Sequence, residues 1–503
     1  RDSSVTGVQT CALPILRQRI ENAQKEIDSK KMIVQNGKMR QHYHFMPQSG
    51  WMNDPNGLIF FNGQYHVFYQ TNPYNGFWDC MHWGHAVSKD LVHWEYLPLA
   101  LAPSEEYDDY QKGGCFSGSA IEHEGKLYVF YTATANHGNG SEQSQCLAIS
   151  EDGINFEKYD GNPLFDAPEG IQPDSFRDPK VWKHENKYYM VVGASRNNRG
   201  LALIYESEDL YHWNFLNVLA ESRGEWGFMW ECPDFYQLGD KYVLTFSPMG
   251  SGDHTSVYLT GDFDYKTGKF DWHISGEMDW GFDFYAPQSM VAPDGRRLIV
   301  AWANEWEWMP LFKDWGPTYQ EGWCGFFNVI REVRMCKDGT LAFVPVEEME
   351  KIRENKFTQR EIQITETPQQ LKAGDGISFE MKFTLDLEET DADRVELKLR
   401  CGKEKESRCI FDLKNGELLV DRSCADGWSV GTSRSVLKVS EKSLDVHIFS
   451  DQSSLEIFTD QYRNNHSNNI FAGNDQDAIS ISAFGGRAVI RDYEAYGLQE
   501  CFN

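Results

Sequence analysis

The chain has 503 residues, too many for one ordinary hydrophobic core, and its 41% hydrophobic and 25% charged residues mark a globular protein of at least two domains. A net charge of −28 excludes a nucleic-acid or anionic-membrane partner, since either needs a basic footprint. The 11 Cys are scattered and odd in number, with no Cys-x-x-Cys, which argues against a disulfide framework or a zinc ribbon and fits free thiols in a reducing compartment.

The first 16 residues, "RDSSVTGVQTCALPIL", start without Met and offer only a short apolar stretch. They read as a non-native leader, and with no export signal visible the expected compartment is the cytoplasm. No apolar run approaches the ~20 residues that a membrane helix needs, so no membrane partner is expected. Residues 17–40 read as a helical segment, its pattern running from Leu16 to about Gln35 with Leu16, Ile20, Ala23 and Ile27 three or four apart among charged residues.

Residues 41–344 carry a five-fold strand pattern. "GQYHVFYQ", "GKLYVFYT", "NKYYMVVG", "DKYVLTFS" and "GRRLIVAW" follow turn residues, and their anchors Tyr65, Leu127, Tyr188, Tyr242 and Leu298 are spaced by about 54 to 62 residues. Five units of that length, each with room for four short strands, predict a five-bladed β-propeller. A second echo runs in phase with the first: "SKDLVHWEYL" from Ser88 returns as "SEDLYHWNFL" from Ser207 and, more weakly, as "SEDGINFEKY" from Ser150. Residues 345–358 read as a charged linker helix. Residues 359–503 alternate apolar and polar positions between turns, which predicts a C-terminal β-sandwich. The fold class is therefore all-β, propeller then sandwich, with a short N-terminal helix.

Stepping back ten or eleven residues from each anchor reaches Asp54, Ser117, Asp178, Glu231 and Pro287. Three of these five positions are acidic, and propeller symmetry gathers them around one end of the axis. Carboxylates gathered in a funnel repel one another, so their convergence points to chemistry rather than to support.

The motifs "WMNDPNG", "FSGS", "FRDPK", "WECPDF" and "DFYAPQ" resemble those of glycoside hydrolase family 32, the invertases and β-fructofuranosidases, over roughly residues 41–503. The N-terminal helix and the lack of a visible export signal make the resemblance point to the bacterial sucrose and sucrose-6-phosphate hydrolases. The resemblance implies retaining exo-hydrolysis of terminal β-D-fructofuranosides through a covalent fructosyl-enzyme. Asp54 would be the nucleophile, Glu231 the acid and base, and Asp178 the stabiliser of the transition state. It further implies substrate contacts from Asn53, Gln70, Trp78, Phe116, Ser117, Arg177 and Trp302, a small carbohydrate as partner, and no cofactor or metal.

Within the same chemistry, turnover of long fructans would mark an exo-inulinase or levanase, and oligosaccharide growth a fructosyltransferase. A non-catalytic fructan-binding protein on a decayed scaffold is the different-class alternative, although all three acids are present. For a phosphorylated substrate, Arg196, Arg199 and His137 are available cations. His42, His44, His82 and His85 read as hydrogen-bonded rather than metal-bound, and Cys232 as a spectator thiol. Asn139 and Asn465 lie in glycosylation sequons. The sandwich edges offer a surface for a homo-oligomer.

Overall fold

The structure is a computed structural model that describes residues 9–108, 113–136, 138, 140–252, 254–310 and 313–502, with side chains from Ile15 onward. Helix α1 spans Gln9–Gln35 and so begins inside the stretch set aside as a leader. Leu16, Ala23, Ile27 and Val34 are buried along one stripe, and Ala23 and Ile27 pack on Leu99 of the first blade. Among the described residues no helix is long and apolar enough to cross a membrane.

Five sheets follow in chain order and make the propeller, antiparallel throughout except that Trp323–Cys324 joins the first parallel to its inner strand. Their inner strands are Gly50–Phe61, Gly114–His123, Phe176–His184, Met229–Leu238 and Tyr285–Val291. Each blade continues outward through the apolar runs read from the sequence. The Ser-x-Asp echo is the turn from third to fourth strand. In the first blade, Ser88 Oγ accepts from the Leu91 amide at 2.8 Å and Asp90 Oδ1 from the His93 amide at 2.9 Å. In the third, Ser207 and Asp209 do the same for Leu210 and His212 at 2.9 and 2.8 Å. Leu91 and Leu210 hold φ values of 68° and 72°, and the second blade puts Gly153, φ 77°, in their place. Local side-chain bonds thus enforce the left-handed turn that Leu alone disfavours.

Around the axis, polar side chains tie neighbouring inner strands. Gln288 accepts from the Leu58 amide and donates to the Gly118 carbonyl, while Ser119 Oγ donates to the Pro179 carbonyl. The 345–358 linker differs from expectation. Only Glu347–Ile352 is helical, as a 3-10 turn that buries Met349 and Ile352, and Arg353–Ile364 is already a sandwich strand paired with Ala488–Leu498. Two apolar residues suffice to pin one turn; the polar remainder gains more from the sheet's hydrogen bonds.

The sandwich has two six-stranded sheets enclosing one core that includes Phe379, Leu397, Phe411, Ile448, Ile457 and Tyr493. It is held to the propeller by buried ion pairs. Arg331 bonds Asp279 at 2.9 Å and Glu456 at 2.7 Å, Arg422 bonds Asp283 at 2.7 Å, and His44 lies between Asp451 and Glu456 at 2.8 Å from each. His44 is therefore hydrogen-bonded, as the sequence suggests. His66 and His85 bond each other at 3.0 Å. The ten described cysteines are free thiols. Asn465 of the sequon is 1% exposed within a strand, where no glycan could be attached. Asn139 and His137 lie outside the described residues.

Candidate active site

Every inner strand slips its ladder at the same level. The slips fall between Met52 and Pro55, Cys115 and Gly118, Arg177 and Lys180, Glu231 and Asp234, and Tyr285 and Gln288. Such bulges re-aim side chains that a regular strand would point into its neighbours. Asp178, Cys232 and Ala286 occupy equivalent bulge positions, with φ of 68°, 47° and 52°. The register also corrects the shared offset inferred from spacing. Glu231 immediately precedes its bulge, Asp178 is the first bulge residue and Asp54 the second. Three blades therefore present acids from three successive positions.

The three acids are buried, at 7%, 5% and 9% exposure for Asp54, Asp178 and Glu231. Asp54 Oδ2 accepts from Ser117 Oγ at 2.6 Å and from Cys232 Sγ at 3.3 Å, and its Oδ1 accepts from Asn53 Nδ2 at 3.0 Å. Asn53 is itself oriented by the Trp51 indole N–H at 2.7 Å. Asp178 accepts from the Cys232 amide at 2.8 Å, while its own amide donates to Thr132 Oγ1 at 3.0 Å. Arg177 places Nε and Nη2 on Glu231 Oε1 at 2.9 and 2.8 Å, and the Tyr285 hydroxyl donates to Oε2 at 2.5 Å.

The electrostatics follow from this crowding. Burial, then the Glu231 charge, raises Asp54, against the opposing bonds from Ser117, Asn53 and Cys232. Burial raises Asp178 to about 7; Arg177 pulls it down, while the charges of Glu231 and Asp54 push it up. Burial and the three nearby carboxylates hold the Cys232 thiol well above its ordinary range. Donor atoms of Asp54, Asp178 and Cys232 lie within 4.8 Å of one another. A thiol that stays protonated and donates to both carboxylates fits a hydrogen-bonding role, whereas a metal would need the thiolate.

The residues expected to contact substrate take the following positions. Asn53 and Ser117 bond Asp54, and Arg177 bonds Glu231. Gln70, 2% exposed, donates to the Cys115 carbonyl at 3.0 Å and so braces the second blade. Trp78 and Phe116 are half-buried and meet edge to face at 5.9 Å. Trp302 is fully buried, 5.6 Å from Trp51 and 4.9 Å from Trp306, because it fills the wall behind Tyr285. The half-buried indole beside it is Trp306. Arg196 is paired with Glu221 at 2.7 Å. Sequence alone marks neither Tyr285 nor Thr132: the "DFYAPQ" motif points to the right blade without distinguishing Tyr285, and Thr132 lies in an apolar run that signals only a strand.

Comparison with known proteins agrees with this geometry. Residues 44–345 match the glycosyl hydrolases family 32 N-terminal domain and residues 348–497 the glycosyl hydrolases family 32 C-terminal domain. The chain is 36% identical to a sucrose-6-phosphate hydrolase of Zymomonas mobilis, covering 96% of each chain, and 36% identical to a raffinose invertase of Escherichia coli, covering 95% of this chain and 98% of that one. Among solved structures, a Bombyx mori GH32 beta-fructofuranosidase superposes with a TM-score of 0.81 at 32% identity, over 96% of this chain and 99% of that one. The sucrose-6-phosphate hydrolase of Lactobacillus gasseri superposes with a TM-score of 0.84 at 28% identity, over 95% and 97%. With both domains matched, and three bulged blades carrying one buried acid each, the chain belongs to glycosyl hydrolase family 32 and is a glycoside hydrolase of the β-fructofuranosidase type.

Proposed function

We propose that the protein releases terminal fructose from sucrose, sucrose 6-phosphate and short fructo-oligosaccharides with net retention, using Asp54, Glu231 and Asp178 in separate roles. Asp54 attacks the anomeric carbon as the bond to the leaving oxygen breaks, and Glu231 gives that oxygen its proton. Water then adds to the same carbon, breaking the bond to Asp54 and passing its proton to Glu231. The bonds from Asn53 and Ser117 fix the Asp54 carboxylate and favour its charged form. Tyr285, 2.5 Å from Glu231 Oε2, holds that carboxyl in place, and its hydroxyl turns to accept when Oε2 carries the proton. Asp178 bonds fructose hydroxyls where charge develops, with its position set by Thr132 and the Cys232 amide.

What supports the reading is one observation: buried acids from three blades share one funnel with Arg177 as a counter-charge. A structural design would gain nothing from uncompensated burial of this kind. The phosphate-binding cations proposed from sequence gain no support from Arg196, which is already paired. Measuring kcat/KM for sucrose and sucrose 6-phosphate with purified protein decides between the two, and release of no fructose from either substrate overturns the function.

A further inference from the structure

A line of aromatic rings leads away from the acid that serves the leaving group. Tyr285, bonded to Glu231, has the Trp306 indole against it at 6.3 Å, nearly perpendicular. Trp306 stands in the loop after the fifth blade's second strand, and Trp308 and Trp315 follow it in the same apolar cluster as Tyr285 and the half-buried Trp78 and Phe116. Trp308 and Trp315 are 5.6 Å apart, and Trp315 meets Trp428 of the sandwich at 5.5 Å and Phe471 at 5.9 Å. Trp428 is 45% exposed, and Val430 beside it is 63% exposed.

Packing accounts for the inner half of this line and not for its outer end. Trp308 is fixed to the propeller through its indole N–H, 2.9 Å from Asp283, and to the sandwich through the Arg422 guanidinium 4.3 Å above its ring. The loop that carries Trp428 is shaped by Asp426, which accepts from the Ser429 amide and hydroxyl at 2.8 and 2.6 Å and from the Phe471 amide at 2.7 Å. The fold therefore does not need an indole at position 428. An exposed Trp in contact with Trp315, at the end of a cluster that includes Tyr285, has the form of a ligand surface. Exposed carboxylates and amines of Glu307, Lys313 and Asp314 alternate with the rings, a mixture that suits sugar faces and hydroxyls.

We propose that Trp306, Trp308, Trp315 and Trp428 form an extended leaving-group subsite that takes the sugar units beyond the one attached to the scissile fructose, with the sandwich supplying its outer end. The inference rests on the assignment of Glu231 as the acid, since that residue fixes the side on which the leaving group departs. A disaccharide substrate ends near Trp306; a longer chain reaches Trp315 and Trp428. The sandwich then acts in specificity as well as in support.

The test compares sucrose with nystose, a tetrasaccharide, in wild type, Trp428→Ala and Trp428→Phe. The ratio of kcat/KM for nystose over sucrose is expected to fall about 3- to 10-fold in the alanine variant, the worth of one ring contact, chiefly through KM. The phenylalanine variant should keep most of the wild-type ratio. An unchanged ratio in the alanine variant overturns the proposal, and so does an equal loss on both substrates, which would mark a structural role. Wild-type protein that releases no fructose from either substrate defeats the hydrolase reading instead, so the two failures are distinct.

Discussion

Two clusters of buried acids sit in this molecule, and they are built on opposite terms. Between propeller and sandwich, Asp279, Asp283, Asp451 and Glu456 meet Arg331, Arg422 and the His44 imidazole within 2.9 Å or less. Burial alone would raise Asp451, but the bonds and charge of His44 hold it well below the usual carboxylate range. On the propeller axis, Asp54, Asp178 and Glu231 share one guanidinium, and Asp54 and Asp178 are raised. Burial is common to both clusters, and it raises Asp283 even beside Arg422. Compensation separates them: where each carboxylate has a cation the result is adhesion, and where charge is left over the result is reactivity.

The comparison is broken most directly by removing one acid from each cluster's working centre. Asp54→Asn is expected to lower kcat by at least about 10³-fold while leaving the thermal midpoint no lower than wild type, because one repelling charge is gone. A variant with full activity, or one that unfolds early, would place Asp54 among the adhesive acids. Arg331→Met should do the reverse. It strands Asp279 without its cation, leaves Glu456 with His44 alone, and is expected to cost about 3–5 kcal/mol of stability, read from urea unfolding, with kcat of the folded fraction nearly unchanged. Equal stability in the variant would remove the adhesive reading of the interface.

How much of this contrast is legible in the sequence depends on the range of the interactions. The Ser-x-Asp turns announce themselves because Ser88, Asp90 and Leu91 bond within three residues, so the propeller period shows through. The acids are legible because each sits in a distinctive local string. Their exact phase is not, since a bulge shifts the ladder without changing the spacing to Tyr65, Tyr188 or Tyr242. The adhesive cluster is invisible for a different reason. His44 and Asp451 are 407 positions apart, and neither has a neighbour that predicts the meeting. Trp302 illustrates the last limit: a Trp beside a catalytic strand can face the sugar or back the wall, and only the packing against Trp51 and Trp306 decides. Gln70 is the polar version of the same ambiguity.

The interface should also reveal itself through pH. Burial works against charge on His44, but the bonds and charges of Asp451 and Glu456 outweigh it and raise the imidazole from 6.5 to about 9. A folded-state value above the unfolded one gives stability that is complete below pH 6.5 and is lost as pH rises through 9. Asp451 has the opposite sign: its contribution is present above its unfolded value of 3.8 and is lost at more acid pH. The interface is thus tightest between about pH 4 and 6.5, and the alkaline loss is expected to reach about 2–3 kcal/mol by pH 9. Unfolding curves at pH 6, 7.5 and 9 should show that decline in wild type and a flatter one in His44→Gln; parallel declines would assign it elsewhere.

The smallest effect is the most informative about the catalytic cluster. Asp178 is raised from 3.8 to about 7, so its contribution to stability is fullest below pH 3.8 and falls as pH rises through 7. Near neutrality the folded protein therefore carries a carboxylate that the fold opposes. Asp178→Asn removes that opposition, keeps the shape, and is expected to gain about 0.5–2 kcal/mol at pH 7.5, with little gain at pH 4. The same substitution should lower kcat and move the limb of the pH–rate profile along which activity rises as Asp178 ionises, which in wild type is expected near pH 7 and belongs to the coupled acids together. A gain in stability that is the same at both pH values would mean that Asp178 is neutralised by Arg177 after all. In that case its acid would belong with Asp279 and Glu456, and the division between the two clusters would fall at a different place.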